Sequence, residues 1–466
     1  MVKNKIAAGG YMTEIKKKDI MICGFALFAI FFGAGNLIFP PYLGVVAKSK
    51  WVEVMLGFLL SDPVLPILGV IVTVMLGGKA EALGKRVNPV FAAALGLLII
   101  LTIGPLYAIP RTGATTYEIF IQPLQPAGLS HGTQRNIKIV TCFIFFALTL
   151  YFVLNEGKVI EIIGKYLTPG LLIVLAVVVI VSIVKPPGQI VHSEDSGMFV
   201  RGLKEGYQTM DAMVSALFAG IVSADLARRG YKDKKTQIKA SIQVGIVSFV
   251  LLALVYGSLT YAGATVSSYY TPENDRTEIL IGMVNMMLGT TGKVLMGIVV
   301  TLACLTTSVG LVSVCGNYFQ SLSKGALEYK AVAVVTTIIS FILSLLGVTK
   351  MIEYSGPILS CVYPMIIALI LVSFFDKYIK YNLTYAGVVT GAFIVGFVQN
   401  APIKSAGFEG FKSFINSLPL HSIGFEWVVP TLVFGIIFTI IATATGIGGT
   451  LEDFLKQEEA LQKASK

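Results

Sequence analysis

Charge is scarce in this sequence. Only 13% of its 466 residues are Asp, Glu, Lys or Arg, against about 25% in a soluble globular domain. Histidine is scarcer: His131, His192 and His421 are the only three, and each falls between apolar runs. No histidine relay can therefore carry protons through the apolar part of the chain. The five cysteines (Cys23, Cys142, Cys304, Cys315, Cys361) all sit inside apolar stretches. They lack paired ligand spacing and read as small packing residues, not disulfides or metal ligands. A phosphate-binding loop is missing too. The segment GGKAEALGKR has the wrong spacing and no Ser or Thr after the lysine, which argues against ATP-driven work. No serine–histidine pair or metal-ligand cluster suggests an enzyme, and no cofactor is implied.

What is abundant is apolar. Hydrophobic residues make up 55% of the chain, with a mean hydropathy of +0.79. Windows of about 18 or more apolar residues recur throughout and read as membrane-spanning helices. The reading is an all-α polytopic membrane protein, residues 1–466 forming one integral membrane domain in a lipid bilayer. Twelve spans are expected, at roughly 20–46, 52–76, 90–119, 137–154, 166–184, 203–226, 238–264, 294–322, 331–348, 354–375, 385–398 and 425–447. The first would serve as its own insertion signal.

The net charge of +10 sits in short loops, so it reports membrane topology, not nucleic-acid binding. With a cytoplasmic N-terminus, 23 Lys and Arg fall on the cytoplasmic side and 12 on the other. The run RRGYKDKK (Arg228 to Lys235) is the strongest inside marker. Both termini are then cytoplasmic. In the long outer loop, Ile279, Leu280, Met283, Val284 and Met287 have the spacing of a short helix lying over the membrane. LEDFLKQEEALQK reads as an amphipathic tail helix. Spans 1 and 6 start on opposite sides, which suits two inverted five-helix units, 20–184 and 203–375, followed by accessory helices over 385–448.

The chemistry is expected where spans are interrupted. Span 1 contains Gly33-Ala34-Gly35-Asn36, then Pro40-Pro41. Glycine weakens a helix and proline removes a backbone donor. A break at bilayer depth frees carbonyls for a cation and helix N-terminal amides for a carboxylate. The alternative is a small-residue packing kink. Span 6 holds Thr209, Asp211, Ser215, Ala216, Ala219 and Gly220 and should be the second broken helix. Asp211 is either functional or a cap of a half-helix. In span 8, Thr306, Thr307 and Ser308 could line an oxygen cage or simply bond their own helix. Arg111 in span 3 needs an acid (Glu118, Asp211 or Glu353) as a gate partner, or must snorkel to the surface. Asp62, in Ser61-Asp62-Pro63 of span 2, marks either a kink or a coupling proton.

FALFAIFFGAGNLIFPPYLG resembles the opening helix of the bacterial branched-chain amino acid:cation symporters, the LIVCS family of BrnQ-type carriers. IGPLYAIPRTGATTYE, GYQTMDAMVSALFAGIV and LACLTTSVGLVSVCGNYF resemble that family's third, sixth and eighth helices, in order. The resemblance covers nearly the whole chain; SDPVLP lies outside it. It implies a LeuT-like fold of the amino acid–polyamine–organocation superfamily and import of Leu, Ile and Val across the bacterial inner (cytoplasmic) membrane, coupled to Na+ or H+. It also implies a sodium site from the Ala29, Phe32 and Cys304 carbonyls with Thr307 and Ser308. Asn36 aligns with a second ion or substrate position and Tyr107 with a tyrosine near the substrate carboxylate. Gly33, Ala34, Gly35, Asn36, Tyr107, Asp211, Ser215 and Phe218 are the expected substrate residues, with Arg111 and Asp62 as gate or proton sites. The neutral cage and the missing histidines favour sodium. A proton-coupled carrier of another neutral amino acid is the alternative. A channel fits paired broken helices less well. Oligomeric state is left open.

Overall fold

The computed structural model describes residues 15–78, 82–155, 173–174, 176–403 and 405–464; their regular elements are all helices, with one isolated bridge, Tyr381 to Thr450. Eight helices are long and apolar enough to cross a membrane, or nine when the bent pair Met198–Thr209 and Asp211–Arg228 counts as one span. Tyr329–Ser344 is a shorter apolar helix. Of the expected span 166–184, residues 173–174 and 176–184 are described and helical, and the rest lies outside the described residues.

The chain opens with α1 (Lys17–Phe31) and α2 (Ala34–Ala47). They are separated where Phe32 and Gly33 leave helical geometry, with ψ of 81° and 166°. Next come α3 (Trp51–Leu59) and α4 (Leu65–Met75), split by a wide turn in which Asp62 is extended (φ −151°, ψ 105°). In the third span, α5 (Pro89–Leu101) and α6 (Ala108–Thr116) are interrupted at Gly104 and Tyr107. α7 (His131–Leu154) is continuous.

The bent pair is α8 (Met198–Gly206) and α9 (Asp211–Arg228), which meet at 50°. The hinge is Met210, a non-glycine residue in the left-handed region (φ 64°). Asp233 caps α10 (Lys234–Thr265), accepting from the Thr236 N–H and hydroxyl at 3.0 Å each. Those bonds hold its carboxyl below the usual range. α11 (Arg276–Leu322) is divided at Gly289 (φ 65°). Its first part is the expected loop helix, with Ile279, Leu280, Met283 and Val284 fully buried. α12 (Tyr329–Ser344), α13 (Val348–Phe374), α14 (Leu383–Asn400), α15 (Ala406–Asn416) and α16 (Val428–Thr445) follow. The tail helix is α17 (Leu451–Ala464).

Lipid offers helices no hydrophobic reason to associate, so close backbone packing must supply it. Two crossings show this reciprocally. A Cβ on Gly44 of α2 would strike the Thr260 carbonyl of α10, and one on Gly263 would strike Pro41 O. A Cβ on Gly57 of α3 would strike Phe199 O, and one on Gly202 of α8 would strike Val54 O. These contacts lock α2 to α10 and α3 to α8, which sets the level at which the breaks meet.

Gly44→Leu and Gly57→Leu should each destabilise the purified protein by about 1–3 kcal/mol or more. Gly310 of α11 meets nothing within 4 Å, so Gly310→Ala should be neutral or stabilising by about 0.5–1 kcal/mol. Thermal unfolding of the three variants in one detergent checks this; a Gly44→Leu or Gly57→Leu melting point at or above that of Gly310→Ala would contradict the close crossings.

Candidate substrate and ion site

The break between α1 and α2 places Asn36 in the first turn of α2, 2% exposed. Its Nδ2 lies 3.1 Å from Phe31 O, 3.0 Å from Asp62 Oδ2, 2.7 Å from Asp211 Oδ2 and 2.8 Å from the Tyr256 hydroxyl. One amide nitrogen carries two hydrogens, so it cannot satisfy four oxygens at once. Phe31 O is a carbonyl that the helix break takes out of the helical ladder, and it also accepts from the Gly33 N–H at 2.8 Å. Asp62 and Tyr256 are fully buried and Asp211 is 7% exposed. Asp211, Thr209 and Tyr256 stand beside Asp62, and Asp62 Oδ1 is buried with no partner. Two carboxylates this close and this dry require a positive charge between them, whether a proton or a metal cation.

Beside this cluster stands Arg111, 6% exposed. Its Nη1 donates to Gln208 O at 2.7 Å and to the Tyr107 hydroxyl at 3.2 Å. The guanidinium carbon lies 4.9 Å from the Tyr107 ring centre and 5.6 Å from that of Phe39. Tyr107 and Ser355 both donate to Gln208 Oε1 at 3.1 Å. Arg111 pairs with none of the expected acids. Glu118 accepts from Thr277 and from the Val348 amide, Glu353 lines a separate cavity, and Asp211 is bonded to Asn36. Nor does Arg111 snorkel, since it is buried.

Gly33, Gly35, Asn36, Arg111, Asp211, Phe218 and Thr307 line one cavity of about 70 Å³. Ile103, Val214 and Leu311 supply apolar wall. Tyr107 sits behind Arg111 and Asp62 behind Asn36. Ser215 points elsewhere: its hydroxyl donates to Ala212 O and lies against Gly69 of α4. Of the expected sodium ligands, Thr307 faces the cavity, but Ser308 accepts from Thr149 of α7 at 3.3 Å. Cys304 is buried beside Thr116, Thr306 returns its hydroxyl to Ala303 O, and Phe32 stacks on Phe28. Ala29 packs half-buried against the core. α11 packs along α2, after the break. Ala34 contributes its backbone to the break, at the first residue of α2.

Sequence reasoning missed Tyr256, Gln208 and Ser355. Tyr256 is an aromatic residue in an apolar helix and carries no local signal. Gln208 immediately precedes the polar cluster of span 6, and its uncharged amide at bilayer depth was a readable hint.

The model of a family described as branched-chain amino acid transport proteins matches residues 16–445. The chain is 36% identical over 436 residues to the branched-chain amino acid permease BraB of Bacillus subtilis, covering 92% of this chain and 96% of that one. It is 36% identical over 444 residues to the permease BrnQ of the same organism, covering 93% and 99%. It is also 33% identical to a branched-chain amino acid transport system 2 carrier protein of Pseudomonas aeruginosa, covering 91% and 95%. Among solved structures it is similar to inward-facing Mhp1, with a TM-score of 0.53 at 12% identity, covering 92% and 94%. It is likewise similar to MhsT in complex with L-phenylalanine, with a TM-score of 0.54 at 13% identity, covering 91% and 98%. These neighbours establish the LeuT-like fold, and the relatives are named as permeases and carriers, not enzymes. The chain belongs to the branched-chain amino acid transport protein family.

Proposed function

We propose that the protein imports leucine, isoleucine and valine across the bacterial cytoplasmic membrane, coupled to a sodium gradient, with both termini inside. The observation that carries this reading is one cavity in which two interrupted helices bring Asn36 and Asp211 opposite Ile103, Val214, Phe218 and Leu311. Charged ends and an aliphatic side chain would find suitable surfaces there. The cavity's volume suits several waters, so its walls must part for a branched side chain to enter. Two larger cavities support alternating access. One, of about 870 Å³, is lined by residues of expected outer loops, including His131 and Lys350; the other, of about 670 Å³, by residues of expected inner ones, including Arg86 and Phe454. Units 20–184 and 203–375 would rock against one another, with 385–448 appended.

The coupling cation would sit among Phe31 O, Asp62, Asp211 and Tyr256, where oxygens outnumber hydrogens. This seat differs from the Ala29, Phe32, Cys304, Thr307 and Ser308 set, because Ser308 is engaged with Thr149. A proton is the second reading, favoured by the direct approach of Asp62 to Asp211.

In proteoliposomes, leucine uptake should follow an imposed inward sodium gradient and be competed by isoleucine and valine far better than by lysine or glutamate. A charged amino acid winning that competition would sink the substrate assignment.

Asp62→Asn should lower apparent sodium affinity about ten- to hundredfold, the scale of a lost charged contact. Thr307→Val with Ser308→Ala should change it by less than about threefold, within the weak end of neutral hydrogen bonds. The reverse pattern moves the ion to the α11 hydroxyls. Uptake that ignores sodium, follows a pH gradient and is lost in Asp62→Asn makes the protein a proton symporter.

A further inference from the structure

Arg111 is a buried cation that makes no ion-pair contact with a carboxylate among the described residues, although Asp211 stands near enough to feel its charge. Its Nη1 is occupied by Gln208 O and the Tyr107 hydroxyl. Nη2 and Nε make no hydrogen bond within the described structure, and the side chain lines the cavity that Asp211 also lines. Gly35 explains how the guanidinium fits. A Cβ at that position would strike Arg111 Nη2 and come within 2.7 Å of the guanidinium carbon. Gly35 is the second residue of α2, so the free edge of the guanidinium stands over a helix N-terminus, where unbonded amides and the helix dipole also favour an anion. A planar fork whose Nη2 and Nε make no other hydrogen bond matches a carboxylate. Across the cavity, Asp211 supplies the opposite charge. The two ends are thus sorted by sign before any ligand arrives.

We propose that Arg111 receives the α-carboxylate of the transported amino acid and makes the carrier selective for free amino acids over their amides and esters. This rests on the reading of the protein as an amino acid carrier. Tyr107 and Gln208 hold the guanidinium in place, and Gly35 leaves the space in which it and the carboxylate meet. The competing role is purely structural: Nη1 fastening the Gln208 carbonyl at the break between α8 and α9.

The test is equilibrium binding of leucine and of leucinamide to the purified full-length protein in saturating sodium. Leucinamide keeps the amine and the side chain but loses the negative charge. The wild type should prefer leucine by about ten- to hundredfold, the scale of one charge-assisted contact. In Arg111→Gln the preference should collapse to within about threefold, mostly through weaker leucine binding, with Arg111→Lys intermediate because it keeps the charge without the fork. Gly35→Ala should also narrow the preference, since its methyl displaces the guanidinium. A folded Arg111→Gln or Arg111→Lys protein that loses both ligands in equal measure assigns Arg111 the structural role and overturns the proposal. So does a wild-type preference near one, which needs no variant. A wild type that binds neither leucine, isoleucine nor valine refutes the carrier reading itself and is thereby told apart from failure of the carboxylate assignment.

Discussion

The side-chain amide of Asn36 joins four segments that are far apart in sequence. It touches the carbonyl that ends α1, the extended turn of the second span, the start of α9 and the middle of α10. The constraint behind this is that backbone and charge cannot go unpartnered at bilayer depth. Once α1 stops at Phe31, its last carbonyls need donors. Once Asp62 and Asp211 are buried, they need positive charge. Asn36 offers two hydrogens, the Gly33 N–H reaches Phe31 O at 2.8 Å and the Tyr256 hydroxyl carries one more, yet Asp62 Oδ1 is left with no partner. That unpartnered oxygen is where the cation of the proposed function would find a ligand.

The rest of the fold holds this deficit in place. The reciprocal glycine contacts bring α2 against α10 and α3 against α8 with backbone touching backbone. Those are the helices that carry Asn36, Tyr256 and the approaches to Asp62 and Asp211. A side chain at any of the four glycines would spread the cluster before it reached the cavity. Arg111 depends on the same economy of space, since the guanidinium fits only because Gly35 has no Cβ. The carbonyl of Gln208 at Nη1 ties this cation to the hinge at Met210. A change in what Arg111 binds can therefore be felt where α8 and α9 bend. An element biased at both ends in this way is what coupling between two ligands requires.

Much of this was legible in the chain. Gly33 and Gly35 marked the break in span 1, and the small and polar residues from Thr209 to Gly220 marked span 6 as broken without fixing the position, which the structure puts at Met210. Asp62 and its proline marked a real interruption of span 2, although the sequence could not say whether it was a kink or a site. The partners were not legible. Asn36 and Tyr256 are 220 positions apart, and no local periodicity encodes which face of α10 meets α2. Arg111 was expected either to pair with an acid or to snorkel to the surface, because isolated buried charges are costly. The structure offers a carbonyl, a hydroxyl and two aromatic faces instead, a solution that depends on three-dimensional placement. The hydroxyls of span 8 had the right type and spacing for an oxygen cage, yet helix rotation turns Ser308 towards Thr149.

If Asn36 links the cation seat to the substrate cavity, the two ligands must raise each other's affinity by the same factor, since linkage between binding sites is reciprocal. The direct measurement is leucine binding across a sodium series, and sodium binding across a leucine series, in the wild type and in Asn36→Ala. The account predicts equal and reciprocal enhancement in the wild type and its loss in the variant, with weak leucine binding that no longer responds to sodium. Undiminished enhancement in a folded Asn36→Ala protein would contradict it.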